Sequence, residues 1–544
     1  MQSLASLLTA RVEAAAGIDP EMRPATKPQF GHFQSNVALR LAKTEGRPPR
    51  DVAADLIGRI EVDDLCEPLE VAGPGFINFR IRASVLAQAA TDLLGDPDTG
   101  INRAADPQTV VIDYSAPNVA KPMHVGNLRS TIIGDCFNRV LSACGHRVIP
   151  ANHIGDWGTQ FGMLVQFILD EGVDTASLDL DGSVALYKRA QERFKADEQF
   201  ADAARRRVVA LQSGDEETLG IWRTLVEVSK KGFNEAYERL GVLLTDDDLY
   251  GESFYNAMLA EVAADLEQRG IAVVDDGALV VFVPGQEAPL IVRKSDGGFG
   301  YAATDLAAIR YRTTQLDADR IIYVVGMPQS FHFQQVFAVA RMAGYLPEDV
   351  TAEHVGFGSV LGPDGKMLRT RAGGTVTLQS LLDEAEEVAT RPIAMAAVKY
   401  SDLSNQLQKD YVFDAERMTA TTGDTGPYLQ YAHARANQIL RRAEAEGITW
   451  EAVTTLTEPA EQALALQLSR FGEVVAGVAE DLQPHKLCTY LFETATHMST
   501  FYEQCPVLKS EGDVRSSRLA LCATTKKVLA RGLELLGIEA PDQM

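Results

Sequence analysis

The chain has 544 residues, too many for one hydrophobic core, so two to four domains are expected. Hydrophobic residues make up 46% and charged residues 23%, and no apolar run approaches the roughly 18 residues that span a bilayer, which excludes a membrane-embedded protein. The net charge of -24 repels a polyanion on average, which excludes non-specific nucleic-acid binding and leaves any RNA to be held by local patches.

The opening MQSLASLLTARVEAAAGIDP reads as an amphipathic helix and not as a secretory signal, so a cytosolic location is expected. The six cysteines Cys66, Cys136, Cys144, Cys488, Cys505 and Cys522 form no CxxC pair and have no histidine at ligand spacing. Reduced, buried thiols and no structural zinc are therefore expected.

Residues 1–107 mix amphipathic helices with short strand signals such as GFINFRI and close in the turn-rich LLGDPDTGINRAADPQ, the pattern of a small α/β appendage. A different pattern runs from 108 to 412. TVVIDYS predicts a strand, and Leu128, Ile132, Ile133, Phe137, Val140 and Leu141 predict a helix that stops at Gly145. HRVIPANHIGDWG then brings a second strand to a glycine-containing loop before the helix TQFGMLVQFILDEG. This is the opening of a doubly wound parallel sheet, whose ligands bind at strand C-termini. Residues 172–240 are charged and helical and read as an insertion, with Arg205, Arg206 and Arg207 on a solvated face. ALVVFVP and PLIVRKS mark the expected return of the parallel core, followed by the strand RIIYVVGM and the helix SFHFQQVFAVARMAG. From 413 to 544 the period is helical, with turn signals at TTGDTGP, EGITW and DLQPHK, so a helical bundle is expected.

The segment DYSAPNVAKPMHVGNLRSTIIGD places His124, Gly126 and Asn127 on the opening turn of a helix. Gly126 admits a ligand close to the backbone, the free N–H groups of the turn attract phosphate, and His124 and Asn127 add donors. That set suits charge developing on a phosphate during displacement. A plain helix cap is the other reading, since Asn is a favoured cap residue, and these residues alone leave both open. The loop HIGDWG brings His153, Gly155, Asp156 and Gly158 to the same edge, and two such loops favour a nucleotide. Downstream, LGPDGKMLRTRAGG gathers Lys366, Arg369 and Arg371 in a glycine-flanked turn, either a cationic loop that closes over polyphosphate or an ordinary exposed hairpin.

APNVAKPMHVGNLRSTIIGD, HIGDWGTQFG, GESFYN, YAATDLAAIRYR, YVVGMPQSFHFQQVF, GKMLRTRAGGTVTL, DTGPYLQYAHAR and the terminal LLGIEAPDQM, in this order, resemble the arginyl-tRNA synthetases. The resemblance covers essentially the whole chain. It implies a class I enzyme with an α/β multidomain fold: an N-terminal domain on the tRNA elbow, a Rossmann-type catalytic domain and a helical anticodon-binding domain. It implies activation of L-arginine with ATP and Mg2+, then transfer to the terminal ribose of tRNA(Arg), by a monomer that needs bound tRNA before it activates the amino acid.

HVGN is similar to the family's HIGH signature, with Asn127 where a second histidine is usual, and GKMLRTR to its degenerate KMSKS loop, with Arg369 where a lysine is common. The resemblance makes His124, Asn127 and Lys366 catalytic and assigns ATP to His124, Gly126, Asn127, His153, Gly155, Asp156, Lys366 and Arg369. It assigns arginine to Ser115, Asn118, His124, Glu252, Tyr301, Asp305 and Gln329. Two carboxylates, Glu252 and Asp305, suit a planar guanidinium, and Tyr301 lies one helical turn from Asp305. tRNA falls to Gln34, Phe76 and Asn78 at one end and to Tyr428, Tyr431, Arg435, Tyr502 and Met544 at the other. Without the resemblance, Met544 would read as a frayed end.

Overall fold

The computed structural model describes residues 3–25, 27–368 and 376–544. At its centre four strands, β1 (Thr109–Asp113), β2 (Arg147–Ala151), β3 (Arg320–Gly326) and β4 (Thr351–Phe357), pair in the order β4–β3–β1–β2, all parallel. Val110–Asp113 of β1 and Ile321–Val324 of β3 are buried without alternation, as expected of strands covered on both faces. The register sets Asp113 beside both Tyr323 and Ala151, so β1, β2 and β3 reach one edge together. The chain leaves β1 for β2 on one side and later crosses to β3 on the other. The loops after β1 and β2 therefore open beside a topological switch point, where such sheets bind ligands.

The first crossover helix, Val125–Ala143, is buried at every position from Asn127 to Asn138. It is a central pillar and not a surface helix.

Two expectations change here. ALVVFVP and PLIVRKS do not continue the parallel sheet; Ala278–Val281 and Leu290–Arg293 join Val273–Asp275 in a separate antiparallel sheet. The connections dictate this. Asp276 and Gly277 both take positive φ, 44° and 78°, in a two-residue hairpin turn, and no crossover helix separates the next pair. The fourth parallel strand is instead β4, whose polar Glu353 forms a 2.6 Å ion pair with Arg320 of β3.

The insertion is three helices, Leu180–Ala196, Glu198–Gln212 and Glu216–Leu240. Arg205 pairs with Asp202 on the surface, whereas Arg207 bonds Thr218 within the insertion and Gln166 on the preceding helix Thr159–Glu171. In the N-terminal sheet Phe33–Ser35 and Glu70–Ala72 both pair antiparallel with Phe76–Phe79, whose Ile77 and Phe79 are buried. Helix Ala83–Gly95 turns away from that sheet: Ala90 and Leu94 carbonyls accept from Thr524 and Lys527 of the C-terminal bundle. Physically it belongs to the bundle, although it precedes residue 107. The bundle's five long helices, Gly426–Ala445, Pro459–Ser469, Phe471–Asp481, His485–Gln504 and Gly512–Leu535, break at each of the three turn signals. Among the described residues no helix is long and apolar enough to cross a membrane.

Candidate functional site

After β1 the backbone turns through Ser115, Ala116 and Ala120 with left-handed φ values of 72°, 46° and 61°. Non-glycine residues there carry strain on the order of 1–3 kcal/mol each, and persist only when neighbours hold them. The loop after β2 is one neighbour. Val119 N–H donates to Gly155 O and Gly155 N–H to Pro117 O, both at 3.0 Å, pairing the two loops at Asn118 and Gly155. A Cβ on Gly155 would stand 2.4 Å from Asn118 Oδ1. This glycine is required by the close approach of the neighbouring loop.

His124 is the N-cap of Val125–Ala143. Its Nδ1 accepts the Gly126 N–H at 3.0 Å, so the ring hydrogen of the neutral imidazole sits on Nε2. Burial, then the Lys121 ammonium, push its pKa down and keep it neutral. Asn127 is occupied on both sides. Its Oδ1 accepts the His124 N–H at 3.1 Å and its Nδ2 donates to Ser115 O at 3.1 Å. The two readings left open by the sequence thus combine: Asn127 is the reciprocal half of a capping box. The expectation that Asn127 offers its side chain to a ligand is corrected by these bonds, and of the first turn's N–H groups those of Gly126 and Asn127 are engaged, the latter by His124 O. Gly126 is likewise needed internally, because a Cβ there would lie 2.8 Å from the His124 ring. What this turn presents outward is His124 Nε2–H. Ser115 is buried, its Oγ engaged by Tyr237 and Thr131, so it shapes the loop from inside.

On the second loop His153 stacks on Tyr255, 5.4 Å between centroids, with Nδ1 3.8 Å from Asp113, which itself pairs with the buried Arg312 at 2.6 Å. Asp156 is buried and accepts from Ser253 N–H at 2.9 Å and Ser253 Oγ at 2.6 Å. Its carboxylate therefore anchors the start of helix Glu252–Gln268. The expected nucleotide contact at Asp156 becomes a structural one.

That anchoring fixes Glu252, the helix's first residue. Burial first, then the charges of Asp156 and Asp305, push its carboxyl up to about 8, against a hydrogen bond from the Trp157 backbone. Asp305 comes from helix Tyr301–Thr314 and meets His332 Nε2 at 2.6 Å. Tyr301 opens the same helix, 72% exposed, near enough to both carboxylates that they add to the rise in its pKa. Gln329 is exposed in the short turn after β3. Glu252, Asp305 and Tyr301 thus share one acidic recess, and Glu252 has no cationic partner among the described residues.

Lys366 is exposed on a hairpin closed by Gly362 N–H to Lys366 O at 2.8 Å, with Gly365 at φ 71°. After residues 369–375, which lie outside the described residues, Thr377 bridges His124, and Leu378 N–H donates to Met123 O at 2.8 Å. Arg369, like Thr370 and Arg371, lies outside the described residues. Among the described residues no group of three or more His, Cys, Asp or Glu side chains is placed to hold a metal ion, and all six cysteines are buried and unpaired.

Apart from Asn78, which is buried, the remaining candidates fall on two surfaces. Phe76 and Asn78 share one face of their strand, and Gln34 pairs with Asn78 in register and by a 2.8 Å amide bond. In the bundle Arg435 lies over two rings, Tyr431 at 5.0 Å and Tyr502 at 4.9 Å. Tyr431, Arg435 and Met544 line one cleft of about 500 Å³ with Arg441 and Arg442. The chain end is pinned, not frayed: His433 and Asn437 bond the carbonyls of Pro541 and Asp542 at 3.0 and 2.8 Å. Tyr428 differs, half-buried against Phe492 and 3.4 Å from Ser499, a packing position between helices.

Residues 2–81 match the arginyl-tRNA synthetase N-terminal domain, 90–394 the class I (R) tRNA synthetase catalytic domain, and 429–544 the DALR anticodon-binding domain. The arginine–tRNA ligase of Cutibacterium acnes is 65% identical over all of both chains, and that of Thermobifida fusca 51% over 99% of both. The chain belongs to the arginyl-tRNA synthetase family. Solved arginyl-tRNA synthetases share its fold: that of Plasmodium falciparum superposes with a TM-score of 0.84 at 27% identity over all of both chains. That of Thermus thermophilus gives 0.82 at 26%, covering 99% of this chain and all of its own.

Within this arginyl-tRNA synthetase, sequence reasoning missed Asn152, Trp222, Ser229 and Tyr237. Asn152 Oδ1 accepts the Ala116 N–H at 3.0 Å, and the other three reach the loops from the insertion helix Glu216–Leu240. The one available signal was Trp222, Ser229 and Tyr237 recurring about every two turns in a segment read as a charged, helical insertion.

Proposed function

We propose that the acidic recess receives the guanidinium of L-arginine and that His124 and Lys366 serve the phosphates of MgATP. The observation that carries this is Glu252: a carboxyl held half-buried beside Asp305 with no cation is complementary to a planar, doubly donating cation. Asn118, Tyr301 and Gln329 border the substrate, while Ser115, Asn127, Gly155 and Asp156 hold the shape around it.

In the first step an arginine carboxylate oxygen attacks the α-phosphorus. The P–O bond to pyrophosphate breaks, and arginyl-adenylate forms. Charge builds on the phosphate oxygens, where the neutral His124 donates from Nε2–H and the Lys366 ammonium, on its exposed hairpin, adds a cation. Arg369 would join it. Mg2+ enters with the nucleotide as MgATP and screens the same charge. In the second step a hydroxyl of the terminal ribose attacks the acyl carbon, AMP leaves, and the hydroxyl proton passes to solvent.

tRNA(Arg) is held at both ends. Gln34 and Phe76 face the elbow, with the buried Asn78 holding the Gln34 amide; Tyr431, Arg435, Tyr502 and Met544 take unstacked anticodon bases by stacking and edge contacts, with Tyr428 supporting. A monomer in the cytoplasm completes the reading.

The test is ATP–pyrophosphate exchange with arginine, with lysine as control, with and without tRNA. Exchange is expected with arginine alone and on addition of tRNA. Absence of exchange under every condition, with tRNA still bound, refutes the active-site reading.

A further inference from the structure

Trp222, Ser229 and Tyr237 lie 7 and 8 residues apart on helix Glu216–Leu240, close to two turns each, so they share a side of the helix. Each reaches a different part of the crevice wall. Trp222 Nε1–H donates to Asp156 O at 2.7 Å. Ser229 Oγ accepts the N–H of left-handed Ala120 at 2.9 Å. The Tyr237 hydroxyl accepts from Asn152 Nδ2 at 2.9 Å and lies 2.7 Å from Ser115 Oγ.

The last contact belongs to a chain whose direction can be worked out. Thr131 has one hydroxyl hydrogen and two oxygen partners, Asn127 O at 2.6 Å and Ser115 Oγ at 2.8 Å. A carbonyl only accepts, so the Thr131 hydrogen goes to Asn127 O, and Ser115 must donate to Thr131. Ser115 is then an acceptor for Tyr237, which accepts from Asn152. The order is Asn152 amide, Tyr237, Ser115, Thr131, Asn127 carbonyl, with every hydroxyl donating once and accepting once. Asn152 also holds Ala116 N–H through Oδ1, and Asn127 also holds Ser115 O and His124 N–H. The chain therefore runs from the loop after β2, through the insertion, to the residue that caps the His124 turn, and crosses the strained backbone of Ser115 and Ala116.

We propose that Tyr237 is a positioning residue for amino-acid activation, locking the left-handed turn after β1 to the loop after β2 so that the phosphate-facing His124 and the arginine recess keep one fixed separation. The inference rests on the arginine-activation reading above. Tyr237 touches no substrate; it acts through Asn152 and Ser115. An insertion serving only as a solvated appendage would need none of these bonds. Misplacement of reacting groups by about 1 Å is worth on the order of 100-fold in rate, which is the lever such a lock controls.

The test compares the native full-length protein with Tyr237→Phe, Ser115→Ala and the double variant in arginine-dependent pyrophosphate exchange at saturating tRNA. Tyr237→Phe keeps the ring in its buried place and removes only the hydroxyl. Its kcat is expected to fall about tenfold or more, with tRNA binding within about twofold of native. The double variant is expected to fall no further than the worse single one, because both cut the same chain; independent structural defects would multiply. Tyr237→Phe with more than half the native kcat, or multiplied losses in the double variant, overturns the proposal. If Tyr237→Phe does not fold, Ser115→Ala, which cuts the same chain at its next link, decides: a fall in kcat of about fivefold or more supports the lock, and unchanged kcat overturns it. A native protein that exchanges with no amino acid overturns the arginine reading instead, so the two failures are distinguishable.

Discussion

Arginine binding should release a proton, and the source is Glu252. Its carboxyl rests at about 8 because burial and the neighbouring Asp156 and Asp305 disfavour its charge. At pH 7 only about one Glu252 in eleven is ionised in the empty site, at pH 8 about half, and at pH 9 about ten in eleven. A guanidinium reverses the balance, since bidentate pairing requires the carboxylate. The bound state then has a depressed pKa and the free state a raised one, so binding releases about 0.9 proton at pH 7 and about 0.5 at pH 8. The sign follows: affinity rises with pH, about fivefold from 7 to 8 and about tenfold from 7 to 9, and levels off above. Isothermal titration of arginine in two buffers of different ionisation enthalpy measures the proton count directly. Glu252→Gln should abolish the release and weaken binding by about 10- to 150-fold, the worth of one hydrogen bond to a charged group. Proton uptake, or heats independent of buffer at pH 7, would refute the assignment of Glu252 as an empty cation site.

Gly126→Ala should turn the His124 ring, because the new Cβ would lie 2.8 Å from it, and raise KM for ATP about tenfold in exchange assays while arginine affinity holds. Arg435→Ala removes the cation between Tyr431 and Tyr502 and should raise KM for tRNA about 5- to 150-fold in aminoacylation, leaving exchange at saturating tRNA near native. Asp402→Ala leaves the buried Arg129 guanidinium, 3.1 Å away, without its counter-charge and should cost about 3–5 kcal/mol in denaturant unfolding.

Much of this was legible in the residues, for identifiable reasons. β1 and β3 are unbroken apolar runs, and the helix after His124 shows its period because its apolar positions are closely spaced. β4 was not legible, because Glu353 and His354 interrupt it and its pairing with Arg320 exists only in three dimensions. The antiparallel sheet was misplaced although the Asp276–Gly277 turn is a local signal; it was outweighed by the apolar character of the strands beside it. Asn127 was read as a donor and as a cap, and deciding between them required the positions of Ser115 O and His124 N. Tyr237 shows the general limit: periodicity gives the side of a helix, not what lies against it.

The same arrangement gives a reason for rejecting lysine without a hydrolytic second site. Asp156 is buried and each of its oxygens already accepts from Ser253, so the recess offers chiefly Glu252 and the His332-bonded Asp305. Lysine's ammonium is one compact charge with three divergent donors, and it cannot lie flat between two carboxylates as a guanidinium does. Ionising Glu252 at neutral pH costs about 1.4 kcal/mol, which arginine offsets with paired bonds. Lysine would have to offset the same cost with fewer bonds and leave an acceptor unpaired, at a further cost of about 1–3 kcal/mol. Discrimination is then set in the binding step by the bonds each ligand makes, and because both ligands bear the same ionisation cost it should stay constant as the pH rises while both affinities increase together. Measured kcat/KM ratios for arginine over lysine that change several-fold from pH 7 to 9 would refute binding of both ligands to the same ionised Glu252.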